Sequence, residues 1–256
     1  MASPCLKIVS VSGLGLALLV VIFFILPPMI EYLLRKQKED PTENGNFCDR
    51  VLRRYRNMGA YQRLFARFKL RLDPMFSELP SLLWKSDIRT VADIGCGYGV
   101  PACWMLERFA DATVYGIDPD PRRVSVASRA VGKRGFFAVA GAPEIPETPG
   151  SVDLATMLDM IHFLDDDQFR LTLIRLSVII GQKGRLIIRA TLPPAYPFPW
   201  VWWMENLKNR AAGIQCHYRI FDEIETIVRQ AGFDIELSTP SGSKGDLVWL
   251  ILNVRE

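Results

Sequence analysis

The sequence predicts an α/β fold built on a mostly parallel sheet with helices on both faces. From Val91 onward, short apolar runs of strand character alternate with helical stretches. A turn poor in side chains, Gly95-Cys96-Gly97-Tyr98-Gly99, separates the first run from the helix that follows it. The second run, Thr113 to Ile117, ends on an acid, Asp118. Glycines let the backbone approach a ligand closely, and a helix N-terminus presents free N–H groups. Asp118 lies about 20 residues beyond the turn, the distance at which a carboxylate meets a ribose in nucleoside-binding folds.

Each element has its own signal. Val91 to Ile94 reads as a buried strand and Pro101 to Phe109 as the helix after the glycine turn. Pro121 to Val131 is helical and starts after the Asp118-Pro119-Asp120-Pro121 turn. Phe136 to Ala140 and Val152 to Leu158 are the third and fourth strands. Asp165 to Ile180 is a helix capped by Asp165 or Asp166. A tight turn, Gly181 to Gly184, leads to the fifth strand, Arg185 to Ala190. Phe221 to Gly232 is a helix closed by its glycine. Phe233 to Ser238 and Leu247 to Asn253 are the last strands, joined as a hairpin by Ser241 to Gly245, so the final strand is antiparallel.

Two details select the ligand. A dinucleotide fingerprint, G-x-G-x-x-G, cradles a pyrophosphate. Here the spacing is G-x-G-x-G, and Asp93 stands two residues before the first glycine. A carboxylate there repels a pyrophosphate and suits a ligand bearing an ammonium and a sulfonium. Asp93-Ile94-Gly95-Cys96-Gly97-Tyr98-Gly99 resembles the first motif of class I S-adenosylmethionine-dependent methyltransferases. The Gly184-Arg185 entry to the fifth strand is a further likeness. The resemblance implies that family's mostly parallel seven-stranded sheet with an antiparallel last strand, here preceded by one transmembrane helix. It implies S-adenosyl-L-methionine as cofactor, held by Asp93, Gly95, Cys96, Gly97, Gly99, Asp118, Pro119, Gly141, Ala142 and Asp159. Asp118 would accept from both ribose hydroxyls, and Gly141 and Ala142 would border the adenine. Without that ligand, the same glycines suit any tight α/β turn, and Gly141-Ala142 suits any strand exit.

Upstream of the core the chain divides into residues 1–36, 37–46 and 47–87, with the catalytic domain expected over 88–256. Ile8 to Leu26 is uncharged and rich in Leu, Ile, Val and Phe. At 1.5 Å per residue its length matches a hydrocarbon core of about 30 Å. It reads as a retained membrane anchor rather than a signal peptide, because no A-x-A cleavage site follows. Lys7 alone precedes it, whereas Arg35, Lys36 and Lys38 follow, so the domain is expected on the cytoplasmic side. Phe23 to Leu34 is similar to the last membrane helix of resistance–nodulation–division exporters, which brings exporter or lipid-synthesis proteins in as expected partners. Gln37 to Asn46 reads as a linker.

Phe47 to Leu72 reads as one amphipathic helix capping the core. Its polar face holds Arg50, Arg53, Arg54, Arg56, Arg63, Arg67, Lys69 and Arg71. This face either lies on anionic headgroups or is a solvated charged face packed over the sheet. Tyr55, Tyr61 and Arg67 are expected near the site. Leu192 to Met204 holds four prolines with Tyr196, Phe198, Trp200, Trp202 and Trp203. It is expected to dip into a bilayer surface or line an apolar acceptor channel, unless its aromatics simply fold it over the core.

The formal charge of +3 is too small to indicate nucleic acid. Five scattered cysteines and two histidines indicate reduced thiols, without a disulfide framework or a zinc site. A hydroxyl acceptor needs a base. The candidates are His162 and Asp159, which leave the fourth strand, and His217, each with a purely structural role as its rival reading. The Asn/Asp-Pro-Pro-Tyr/Phe pattern of enzymes that methylate base and glutamine amino groups does not follow the fourth strand. The expected function is methyl transfer to an apolar or lipid-like small molecule, at oxygen. The alternatives are N-methylation of a phospholipid headgroup and a non-catalytic cofactor-binding subunit of a lipid exporter.

Overall fold

A computed structural model describes residues 43–83, 87–148, 150–193, 207, 209, 213–243 and 245–255. The expected membrane span, Ile8 to Leu26, and most of the aromatic segment after Pro193 lie outside the described residues. Among the described residues no helix is long and apolar enough to cross a membrane.

Seven strands form one sheet: β1 (Thr90–Ile94), β2 (Thr113–Asp118), β3 (Gly135–Val139), β4 (Val152–Leu158), β5 (Ile180–Thr191), β6 (Phe233–Pro240) and β7 (Leu247–Val254). Their spatial order is β3-β2-β1-β4-β5-β7-β6. Pairings from β3 through β5 are parallel, and β7 runs antiparallel to both β5 and β6. The order reverses between β1 and β4, and ligands of such sheets bind outside the carboxyl ends at that reversal.

The strands are buried on both faces, so they read as apolar runs rather than as alternations. One face carries α1 (Glu43–Arg54), α2 (Ala60–Leu72), α3 (Met75–Leu82), α4 (Val100–Arg108) and α5 (Pro121–Val131), around a core that includes Leu79, Val91, Trp104, Val114 and Trp249. The other carries α6 (Asp166–Ile179) and α7 (Phe221–Gln230), with Phe169, Leu173, Val228 and Phe233 in its core. Asp165 caps α6 in a reciprocal box with Gln168. The glycines at 181 and 184 are absorbed into β5, where the register jumps from Val152↔Ile180 to Leu154↔Arg185. A Cβ on Gly184 would come 2.6 Å from the Val152 carbonyl oxygen, so the residue there must lack one.

Three expectations on the N-terminal side need correction. The linker ends early, because α1 starts at Glu43. The single helix over 47–72 is two, separated by a turn in which Tyr55 bonds back to Leu52 and Met58 to Tyr55. Gly59 then stands extended (ψ 159°) as the N-cap of α2. The packing of the helix pair needs a corner there, and Asn57 and Gly59 supply it. The basic face is also not uniformly free. Arg50 and Arg54 bind Glu107 of α4 at 3.0 and 2.7 Å, and Arg54 also donates to the Val131 carbonyl at 3.2 Å. Arg71 lies 3.6 Å from Asp49. Burial would raise the Glu107 carboxyl, but the hydrogen bonds from Arg54 and Arg50 hold it below the usual range. Arg50 and Arg54 therefore staple the cap to the domain, while Arg71 ties the two cap helices together.

Helix α3 was not foreseen. It follows an Asp73 side chain that accepts the Met75 N–H at 2.9 Å, a local turn that restarts the chain after Pro74. Glu78 on α3 accepts from Trp249 Nε1 (2.8 Å), Ser241 Oγ (2.7 Å) and the Gly242 N–H (2.8 Å), locking the cap to the β6–β7 hairpin. Burial opposes the charge on Glu78, yet these three donors keep its pKa low. Glu78→Ala is expected to cost about 2–3 kcal/mol in urea unfolding at pH 7, because buried donors lose a charged acceptor. A carboxylate with a lowered folded pKa stabilises above its unfolded pKa and loses that contribution as pH falls through the folded value. The gap between wild type and variant should therefore close in acid.

Candidate active site

The carboxyl ends of β1, β2 and β4 surround the glycine loop. Gly95, Gly97 and Gly99 all have positive φ (76°, 54° and 75°), a conformation that only glycine adopts without strain. The Gly95 and Cys96 N–H groups both donate to the Ile117 carbonyl at 2.9 Å. From below, the buried Tyr55 hydroxyl donates to the Tyr98 carbonyl at 2.8 Å. A Cβ on Gly99 would meet Ala127 of α5 at 2.9 Å, and one on Gly95 would meet Met160 at 3.0 Å. A Cβ on Gly97 would meet nothing within 4 Å. The middle glycine thus faces open space, while its neighbours are packed.

Two acids flank this loop. Asp93, 2% exposed, accepts from the Thr156 hydroxyl at 2.9 Å through Oδ1. Its Oδ2 is buried and has no hydrogen-bond partner. Burial, with a further push from Asp118, raises its pKa to about 6 against the Thr156 hydrogen bond. Asp118 accepts the Gly97 N–H at 3.0 Å and the Asp120 N–H at 2.9 Å. A carboxylate has about four lone-pair sites, so each Asp118 oxygen keeps one for another donor. Arg123 Nη1 is 3.9 Å from Asp118. Cys96 is buried beside both acids. Burial, and then the charges of Asp93 and Asp118, push its thiol far up, which removes it as a nucleophile.

The loop after β3 arrives alongside. Ala140 donates to the Asp118 carbonyl at 3.3 Å, and a Cβ on Gly141 would lie 3.8 Å from Pro119 Cβ. Pro119 and Gly141 thus meet at the exit of β2.

Beyond β4, Asp159 adopts φ +56°, uncommon for a residue with a side chain. Lys69 Nζ of α2 stands 2.9 Å from its Oδ2, and Arg189 Nε of β5 stands 3.4 Å from its Oδ1. Asp159, expected as a rival base, thus has two cationic partners. His162 is 8% exposed, stacked 5.3 Å from Tyr218, and its Nδ1 has no hydrogen-bond partner. Burial, with help from Arg219 and against Asp159, lowers its pKa to about 4, so it is neutral at pH 7. His217 donates its backbone N–H to the His162 carbonyl at 2.7 Å. Its side chain lines a different cavity, of about 630 Å³, with Asp166, Asp222 and Glu223. No glycine-loop residue borders that cavity.

Sequence reasoning missed Thr156, Lys69, Asp73 and Arg189. Thr156 hid inside an apolar strand. Lys69 and Asp73 come from the α2–α3 corner, and Arg189 comes from β5 beside the end of β4. Tyr61 is 63% exposed with its ring centroid 6.1 Å from that of Tyr98 in the loop, and Arg67 is exposed.

Residues 91–184 match the family described as a methyltransferase domain. Methyltransferase GfsG of Streptomyces halstedii is 34% identical over 113 residues, covering 40% of this chain and 39% of that protein. The chain thus matches about two fifths of that relative's length. The pyocyanin biosynthetic protein PhzM superposes with a TM-score of 0.59 at 18% identity, over 78% of this chain and 60% of that one. The O-methyltransferase NcsB1 from neocarzinostatin biosynthesis, solved with S-adenosylmethionine and 2-hydroxy-5-methyl naphthoic acid, superposes at 0.56 and 16% identity, over 76% and 56% of the two chains. The fold is that of class I methyltransferases.

The unpaired Asp93 oxygen has a consequence for stability. An acid whose pKa is raised in the folded state destabilises it as pH rises from the unfolded value to about 6. In the ligand-free protein, Asp93→Asn is expected to raise stability at pH 7.5 by about 1–3 kcal/mol. That gain should fade below pH 4.5 in paired urea titrations.

Proposed function

We propose that this chain is an S-adenosylmethionine-dependent methyltransferase that alkylates a hydroxyl oxygen of an apolar small molecule. The observation that carries the reading is the buried, unpaired Oδ2 of Asp93 beside a glycine loop with open space over Gly97. An isolated buried carboxylate is costly, and an ammonium donor removes that cost. Asp93 would hold the amino group of the cofactor's methionine end. The free lone pairs of Asp118 would take the ribose hydroxyls, with Pro119, Gly141 and Ala142 forming the wall beside the base. When bound, the cofactor supplies an electrophilic methyl on a sulfonium.

Transfer is a displacement at carbon, so this chain's task is mainly alignment and exclusion of water. His162, neutral at pH 7 and held against Tyr218, would take the acceptor's proton. Oxygen as the methylated atom is supported by the likeness to the O-methyltransferase NcsB1 and to the mitomycin 7-O-methyltransferase MmcR, which superposes at a TM-score of 0.57 and 16% identity. A tether through Ile8 to Leu26 would deliver acceptors dissolved in a bilayer, which extends the same reading to lipid-like substrates.

Calorimetry with S-adenosylmethionine and, in parallel, NAD tests the cofactor assignment. Binding of the first alone is expected, weakened about 10- to 100-fold in Asp93→Asn, as follows from losing a charge-assisted contact. Binding of NAD alone, or of neither, would overturn the assignment. Labelled-methyl transfer onto phenolic and lipid acceptors, read by mass spectrometry, identifies the product. His162→Ala should lower kcat by about 10²-fold or more and leave cofactor affinity unchanged. With S-adenosylmethionine saturating, so that its ammonium keeps Asp93 ionised, and with the pKa of His162 near 4, the wild-type kcat should stay level from pH 7.5 to about 5 and fall only as pH approaches 4.

A further inference from the structure

Four charges meet where the end of α2 touches the sheet. Lys69 and Asp73 belong to the α2–α3 corner, and Asp159 and Arg189 belong to the exits of β4 and β5. Two contacts cross between these groups: Lys69 Nζ to Asp159 Oδ2 at 2.9 Å and Arg189 Nη1 to Asp73 Oδ1 at 2.6 Å. Two lie within them: Lys69 Nζ to Asp73 Oδ2 at 2.6 Å and Arg189 Nε to Asp159 Oδ1 at 3.4 Å. The quartet is neutral overall, and it is neutral again when split into its corner pair and its sheet pair.

We propose that this quartet is a partner-exchanging latch, and that Lys69 is through it a positioning residue for the reaction assigned above. Closed, the cross-contacts hold the end of α2 against the β4 exit. Open, Lys69 keeps Asp73, and Arg189 closes on Asp159 alone. No charge is left buried without a counter-ion in either arrangement, and the cost of an unpaired buried charge is what usually forbids such a motion. Two further features fit. Arg189 also rests 5.5 Å over the Trp249 ring, so it stays in place when Asp73 leaves. Asp159 carries the left-handed backbone just before Met160, whose side chain packs against Gly95, so a pull on Asp159 is a pull on the site. The 2.9 Å contact of Lys69 therefore sets where that turn sits when the cap is shut.

Hydrogen exchange on the full chain tests the latch without an assay of activity. In Lys69→Met, amides of residues 66–75 should exchange about tenfold faster, with those of β5 and β7 unchanged, as expected of a local opening. Lys69→Arg should restore most of the protection, and adding Asp159→Asn to Lys69→Met should add little, because the shared contact is already gone. S-adenosylmethionine should slow exchange of 66–75 in wild type and do so less in Lys69→Met. Unchanged exchange in Lys69→Met would overturn the proposal, as would equal acceleration throughout the sheet or failure of Lys69→Arg to rescue. If wild type binds no S-adenosylmethionine, the functional reading falls, while the exchange of the cofactor-free variants still decides the latch.

Discussion

The Ile117 carbonyl is the point from which the rest of the site hangs. By accepting from Gly95 and Cys96 together, it fixes the start of a turn that no side chain with a Cβ adopts comfortably. Asp118 then anchors the middle of the turn and Tyr55 its far end. This arrangement lets the chain leave β1 and enter α4 within five residues, with a bare stretch of main chain facing outward. It also buries Asp93 at the root of the turn and brings its carboxylate under the influence of Asp118.

Features that stability alone would avoid are gathered around this turn. They include an acid with an unpaired buried oxygen, a histidine with an unpaired ring nitrogen and an aspartate in left-handed backbone. Each costs free energy in the empty protein. They lie on the carboxyl ends of β1 and β4, on either side of the place where the strand order reverses. Among the described residues the buried side-chain atoms without a hydrogen-bond partner belong to Asp93, Asp159, His162 and Arg189, all near these strand exits, and unsatisfied groups gathered in one place are expected of a site built for a ligand. Elsewhere the domain uses charge conventionally: Glu107 and Glu78 each collect donors from separate elements and hold the cap down.

The sheet was legible because its strands are apolar runs bounded by glycine, proline and acid, and no other element fits stretches of that length. The glycine loop with Asp93 and Asp118 was legible because its chemistry is local: three glycines and two carboxylates within 26 residues of sequence. The cap was not. A helical period ran through Asn57 and Gly59 without a visible break, and only the packing of two helices against the core turns those residues into a corner. Lys69 and Arg189 are 120 positions apart, so nothing local relates them. Asp159 was placed correctly at the β4 exit, but its partners come from those distant elements, and they change what its carboxylate is available to do.

The ends of the long connection between β5 and α7 are both moored. On one side Leu192 donates to the Asp246 carbonyl at 2.8 Å. On the other, His217 ties to His162, and the buried Arg219 guanidinium gathers Asp166 with the carbonyls of Ile161, Leu164 and His217. The points at which the chain leaves β5 and returns to α7 are therefore set by the sheet and the β4 exit themselves.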